Sequence, residues 1–379
     1  MIVLEDGPGG GAALFRGAEA VLVAHRGDEV AGLLTRLDEA RARGLWVAGW
    51  LGYEAGYAAE PKLAGIAPVP EGPLAVFGLF SGPEAAEAVL ARAAEEGRGA
   101  ALAPAEPMVL RAEYDAAMAR VLAYIGACDC YQINLTFPMQ TRLLRGTALG
   151  LYGALRTRQA VGHGAFVDLG AGPVVISRSP ELFLRTSASG RIEAKPMKGT
   201  RLRDADPVRD TELSEELRAS PKDRAENLMI VDLLRNDISR VARVGSVKVP
   251  KLFAVESYAT VHQMVSTVVG DLVESPSMAG IMAALFPCGS ITGAPKIRAM
   301  QIIREVEPHP RGVYCGAIGW MAPDGASSFN VAIRTLSLWP DGRVTLNVGG
   351  GVVQDSTATG EWEEALWKAR YIRGLTTPT

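Results

Sequence analysis

The chain has 379 residues, 48% hydrophobic and 21% charged, an ordinary soluble globular composition with core enough for one large domain or two smaller ones. A formal net charge of −3 offers no general attraction to nucleic acid or to an anionic membrane. The apolar runs around Leu74–Phe80 and Ala279–Phe286 are far too short to cross a bilayer.

Acid at Glu5 and Asp6 stands where a signal peptide carries base. Cys128, Cys130, Cys288 and Cys315 form neither a CxxC pair nor a zinc spacing. Reduced thiols and a cytoplasmic location are therefore expected. The Ala-rich run Glu84–Glu96 reads as a helix, and Ala103-Pro104-Ala105-Glu106-Pro107 as the boundary between a first region, 1–107, and a second, 108–379. Tyr114, Met118, Val121, Leu122 and Ile125 set a helix over Glu113–Ala127. Alternation predicts strands at Tyr131–Leu143, Gly164–Leu169, Val174–Arg178, Leu182–Thr186 and Arg191–Ala194. The last delivers Pro196-Met197-Lys198-Gly199-Thr200-Arg201, with loop expected after Thr200. Ser220, Pro221 and Asp223 mark a helix start. Strands are expected at Val255–Val269, Val313–Met321 and Ser328–Leu338, the last turning through Pro340-Asp341-Gly342 into Arg343–Val348, before a closing helix Thr357–Ile372. Strands grouped in runs with helices between the runs argue an α+β fold with antiparallel sheets.

Seven features bear on chemistry. Lys198 lies between a proline and a glycine on rigid backbone, where partial desolvation would free its amine as a nucleophile; the alternative is a surface lysine before a turn. Arg334 shares an apolar strand face with Ala332 and Leu336, so its guanidinium needs a carboxylate, either a ligand's or a structural partner's. His262 in mid-strand is either a hydrogen-bonded core residue or a catalyst. Ser290 and Thr292 precede a helix and either bind an anion or cap it. Glu226 stands three residues after Asp223, and Glu364 three after Glu361. Two such helices facing each other would offer carboxylate oxygens to a hard divalent cation, or be acids suited to helix starts, with Glu364 and Lys368 a surface pair. Glu181, just after Pro180, is either a semi-buried acid with a raised pKa or an exposed glutamate. Gly349-Gly350-Gly351 either brings N–H groups to an anion or makes a turn.

Taken in order, several segments resemble the chorismate-utilising enzyme family. They are Tyr131-Gln132-Ile133-Asn134-Leu135, Ser177–Glu181, Lys195–Arg201, Asp223–Asp237, Gly289–Lys296 and Gly349–Ser356, with Gly49–Tyr57 a weaker match in the first hundred residues. The resemblance implies a sandwich of two large antiparallel β-sheets flanked by helices, as in anthranilate synthases. Residues 1–107 would be the N-terminal part and a candidate effector-binding half, and 108–379 the chorismate-binding catalytic region. Anthranilate synthases usually carry alanine where this chain has Lys198, whereas members that aminate chorismate at C4, toward 4-aminobenzoate and folate, carry lysine. Isochorismate and salicylate synthases need a lysine where this chain has Gln132.

The resemblance further implies Mg²⁺ held by Glu226, Glu361 and Glu364, Lys198 as nucleophile and Glu181 as acid. Arg334 and Tyr314, with the N–H groups near Gly350 and Gly351, would hold the enolpyruvyl carboxylate. Gly199, Thr200, His262 and Ser290 would line the ring side. Asp223 stands where many relatives carry glutamate, which leaves its metal role, direct or through water, open. The sequence carries no glutaminase cysteine motif, so ammonia is expected from a glutamine amidotransferase subunit. The competing expectations are anthranilate formation and a non-catalytic regulatory subunit.

Overall fold

A computed structural model describes residues 1–63, 65–258, 261–273 and 277–375. Among them the strands form one sheet of 11 and another of 10, with every pairing antiparallel. The first sheet is built around the long neighbours Gln132–Arg145 and Arg343–Val352, then Thr335–Leu338, Val174–Ser179, His163–Val167 and Ile2–Leu4. The second runs from Met197–Leu202 through Val261–Asp271, Arg191–Ala194, Leu182–Thr186, Ser327–Val331 and Ala317–Met321 to Trp46–Leu51 and Ala75–Phe80. Three apolar clusters follow from this layering. One packs helices Gly27–Ala42, Pro221–Ser239 and Met278–Leu285 on the second sheet, and another packs Arg111–Gly126, Ala148–Arg158 and Ala358–Lys368 on the first. The third, around Phe15, Trp50, Phe80 and Ile318, fills the space where the two sheets face each other. The expected α+β sandwich is present. No helix among the described residues is long and apolar enough to cross a membrane.

Residues 1–107 supply strands to both sheets. The expected boundary is itself paired: Ala101–Leu102 and Glu106–Pro107 both join Gln132–Arg145. Arg311 ties the first region to the second. Its guanidinium is buried and donates to both carboxylate oxygens of Glu307, at 2.8 and 2.7 Å, and to the carbonyls of Ile291 and Asn134. Below it the Tyr53 ring lies 4.5 Å away, and the buried Glu54 carboxylate accepts the backbone N–H groups of Arg311 and Gly312. Removing one partner of such a buried pair costs about 3–5 kcal/mol, because the other charge is left without compensation.

Several elements differ from expectation. Glu84–Ala85 is an edge strand paired with Ala13–Phe15, and the helix runs Glu87–Gly97. The strand carrying Lys198 does not stop at Thr200 but continues to Leu202, with a register shift between Met197 and Thr200 where Gly199 adopts φ +81°. The expected strand Val255–Val269 is a hairpin of Lys248–Ser257 and Val261–Asp271, and its residues 259–260 lie outside the described ones. The expected strand Val313–Met321 begins only at Ala317. Ser328–Leu338 is two strands in different sheets, Ser327–Val331 and Thr335–Leu338. Arg334 sits between them at φ 50°, so it does not share a strand face with Ala332 and Leu336. The closing helix ends at Lys368 and tightens into a 3-10 segment, Ala369–Leu375. Both sheets satisfy the apolar alternation equally well, so alternation alone hides a crossing between them.

Candidate active site

Two chain segments pass from one sheet to the other side by side. Val174–Ser179 belongs to the first sheet and Leu182–Thr186 to the second, with Pro180 and Glu181 at the crossing. Ser327–Val331 and Thr335–Leu338 make the return, with Arg334 at theirs. Arg178 N–H donates to the Arg334 carbonyl at 2.9 Å and Val331 N–H to the Glu181 carbonyl at 3.0 Å, which clamps the crossings together. Beside them opens a cavity of about 620 Å³, within the range of small-molecule sites.

Of the residues expected from sequence, Lys198, Glu181, Gly199, Thr200, Ser290, Tyr314, Arg334, Gly350, Gly351, Glu226, Glu361 and Glu364 all line this cavity. His262 does not. Its ring nitrogens bond Asp210 at 2.9 Å and Ser257 at 2.8 Å, buried against helix Pro207–Ala219. Gln263 lines the cavity in its place, because successive strand side chains point to opposite faces. His262 is therefore a structural residue here. The histidine was the more reactive residue type, but the alternation favoured its neighbour.

Burial sets the electrostatics. Glu181 is 5% exposed, and desolvation pushes its carboxyl up to about 7 despite the Ser290 hydroxyl and Lys198 nearby. Its Oε1 has no protein partner. Desolvation likewise lowers Lys198 below its usual value, against the opposing pull of Glu226 and Glu181. Arg334 is lowered by desolvation, with Tyr371 and Glu181 as its facing groups. The buried Tyr371 hydroxyl has no protein partner. Gly199 is required where it stands: beyond its positive φ, a Cβ there would lie 2.8 Å from Asp223 Oδ1. Asp223 itself pairs with Arg201 at 3.0 Å, which gives this acid a partner other than a metal.

The glycine run is strand rather than loop, since Gly349, Gly350 and Gly351 pair with Thr136, Leu135 and Asn134. Helix Ala358–Lys368 packs on that strand. A Cβ on Gly350 would stand 2.9 Å from Glu361 Oε2, 3.5 Å from Glu364 Oε1 and 3.2 Å from Lys368 Nζ. Lys368, missed from sequence as half of a surface pair, donates to the Gly349 carbonyl and pairs with Glu364, each at 2.8 Å. Burial raises Glu226 and Glu361, whereas at Glu364 burial is opposed by Lys368, Lys198 and Lys222, which together bring it down.

No group of three His, Cys, Asp or Glu side chains among the described residues is drawn together as a finished metal cage. The donors nevertheless fit a hard divalent cation in kind. They are all oxygen, and an ammonium already stands among two of them. In all, Lys198, Arg201, Lys222, Arg334 and Lys368 face Glu181, Asp223, Glu226, Glu361 and Glu364 around the cavity. That balance accommodates an anion and a cation together.

Residues 2–374 match the family of chorismate binding enzymes. Over 262 residues the chain is 44% identical to aminodeoxychorismate synthase component 1 of Klebsiella aerogenes, covering 69% of this chain and 57% of that one. Over 260 residues it is 42% identical to anthranilate synthase component 1 of Streptomyces coelicolor, covering 68% and 50%. The matched part thus spans between half and three fifths of the length of these relatives. The crystal structure of anthranilate synthase component I from Streptococcus pneumoniae has a TM-score of 0.80, covering 95% of this chain and 91% of that one at 25% identity. The chain belongs to the chorismate binding enzyme family.

Proposed function

We propose that this chain aminates chorismate at C4, forming 4-amino-4-deoxychorismate, the product named in its aminodeoxychorismate synthase relatives. The observation that carries the reading is Lys198: an amine lowered by desolvation, facing a cavity that also holds a carboxyl raised to about 7. Chorismate is a dicarboxylate with a conjugated ring and a poor hydroxyl leaving group at C4. The Arg334 guanidinium, Tyr314 and the backbone near Gly350 and Gly351 suit its enolpyruvyl carboxylate. Glu226, Glu361 and Glu364 would hold Mg²⁺, which when bound would neutralise the ring carboxylate and polarise the diene.

The neutral Lys198 amine attacks C2, the ring double bond shifts, and the C4–O bond breaks as Glu181 gives its proton to the departing hydroxyl, releasing water. The lysine nitrogen keeps its protons as a charged adduct. Ammonia then adds at C4, the double bond shifts back, and the C2–N bond breaks to return the neutral amine. The proton lost by the new ammonium restores Glu181, so chorismate and ammonia become product and water. Ammonia would come from a glutamine amidotransferase subunit, consistent with relatives named as a first component. Anthranilate formation is the second reading, favoured by the match to a synthase of that name at nearly equal identity.

Lys198→Ala is expected to lower kcat at least about a hundredfold with a modest change in KM, the pattern of a group acting in the transition state. Intact-mass spectrometry of the wild type with chorismate and Mg²⁺ but no ammonia should reveal an adduct that the variant lacks. Near-normal product from the variant would remove Lys198 from the chemistry.

The acid and the nucleophile set opposite limbs of the pH profile. Glu181 works protonated, and that form is lost as pH rises through about 7. Lys198 works neutral, and that form is lost as pH falls. A bell-shaped kcat/KM profile follows, and Glu181→Gln should lose activity on the order of 10²–10⁴-fold together with the alkaline limb near 7. An unchanged alkaline limb would assign it to another group.

Excess chelator should stop turnover, and Glu364→Gln should weaken Mg²⁺ binding in calorimetry without loss of fold. Full activity in chelator would contradict the metal assignment.

A further inference from the structure

Gln132 begins the long strand Gln132–Arg145, and its backbone is pinned on one side by Ala294. Its side chain is fully buried, with 0% exposure. Neither Oε1 nor Nε2 has a hydrogen-bond partner, and among the described residues it is the one side chain with two such atoms. An orphaned buried amide costs folding free energy, and such costs are kept where function needs them. The Gln132 amide and the Lys198 amine both approach Gly351. A Cβ on Gly351 would lie 3.0 Å from Gln132 Nε2 and 3.2 Å from Lys198 Nζ. The bare glycine is what leaves these two nitrogens in one neighbourhood.

We propose that Gln132 is a positioning residue whose side-chain amide accepts a hydrogen bond from the Lys198 amine and aims its lone pair at the substrate. The inference rests on the reading of Lys198 as nucleophile. A lysine on a flexible four-carbon stem needs such a guide, since attack requires the nitrogen in line and within a few ångströms of its target. The other groups facing Lys198 are Glu226, Glu181, Lys368 and Glu364. A carboxylate could orient the amine, but it would also favour the charged ammonium, which has no lone pair to give. Lys368 can only repel it. A carboxamide accepts an N–H without carrying charge, so it orients the nitrogen and leaves it nucleophilic.

Gln132→Met keeps the length of the side chain and removes the amide, and Gln132→Leu provides a second apolar shape. Each variant is compared with the wild type in thermal unfolding, in KM and kcat with ammonium salt, and in the rate of adduct formation by intact mass without ammonia. The expected result is a Tm at or above that of the wild type, because the orphaned amide is gone. Adduct formation and kcat should both fall about tenfold or more, while KM changes less than about threefold. Adduct formation at the wild-type rate in either variant would overturn the proposal, and so would a loss confined to KM. A lower Tm in both variants would overturn it as well, by showing that the amide serves packing. A wild type that forms no adduct at all would instead overturn the underlying reading of Lys198.

Discussion

The cavity opens beside two neighbouring crossings between the sheets, where backbone that has left one ladder has not yet joined the next. Such backbone must find hydrogen bonds elsewhere or pay for its burial. Here each crossing supplies the other: Arg178 bonds Arg334 and Val331 bonds Glu181. The mutual clamp fixes an acid and a guanidinium next to each other with little freedom. It also holds Arg334 at its unusual positive φ, a conformation that a lone arginine would abandon.

The chemistry follows from how dry that place is. Burial disfavours charge on Glu181, Lys198 and Arg334 alike, and the same burial makes each one responsive to a neighbour. Groups left without partners, such as Glu181 Oε1 and the Tyr371 hydroxyl, keep hydrogen-bonding capacity for a ligand. The Arg311 knot explains why the walls hold their shape. One guanidinium bonds Asn134 and Ile291, both of which line the cavity, as well as Glu307. The wall is held by a densely hydrogen-bonded ionic cluster, whereas Glu181 and Tyr371 inside the cavity keep unpartnered polar atoms.

Much of this was legible in the residues. Proline before Glu181, proline and glycine around Lys198, and the i,i+3 acids of two helices all mark positions that the fold brings to one cavity. Ser220 caps its helix as the sequence indicates, accepting from Asp223 N–H at 3.3 Å. Three kinds of information were not legible. Alternation cannot distinguish a strand that continues from one that changes sheets, which hid the conformation of Arg334. It also cannot choose between adjacent residues when the more reactive type faces the wrong way, which is why His262 stood in for Gln263. Finally, an i,i+4 pair such as Glu364 and Lys368 reads as solvent-exposed decoration until tertiary packing sets it over a glycine strand. Gln132 carried a signal only by comparison with lysine-bearing relatives, and its orphaned amide exists only in three dimensions.

If Lys198 is the nucleophile, nitrogen goes to C4 of chorismate. Chromatographic identification of the product formed by the purified chain from chorismate, Mg²⁺ and ammonium salt tests it most directly. The expected product is 4-amino-4-deoxychorismate, converted to 4-aminobenzoate only when a separate lyase is added. Fluorescent anthranilate released together with pyruvate would contradict it.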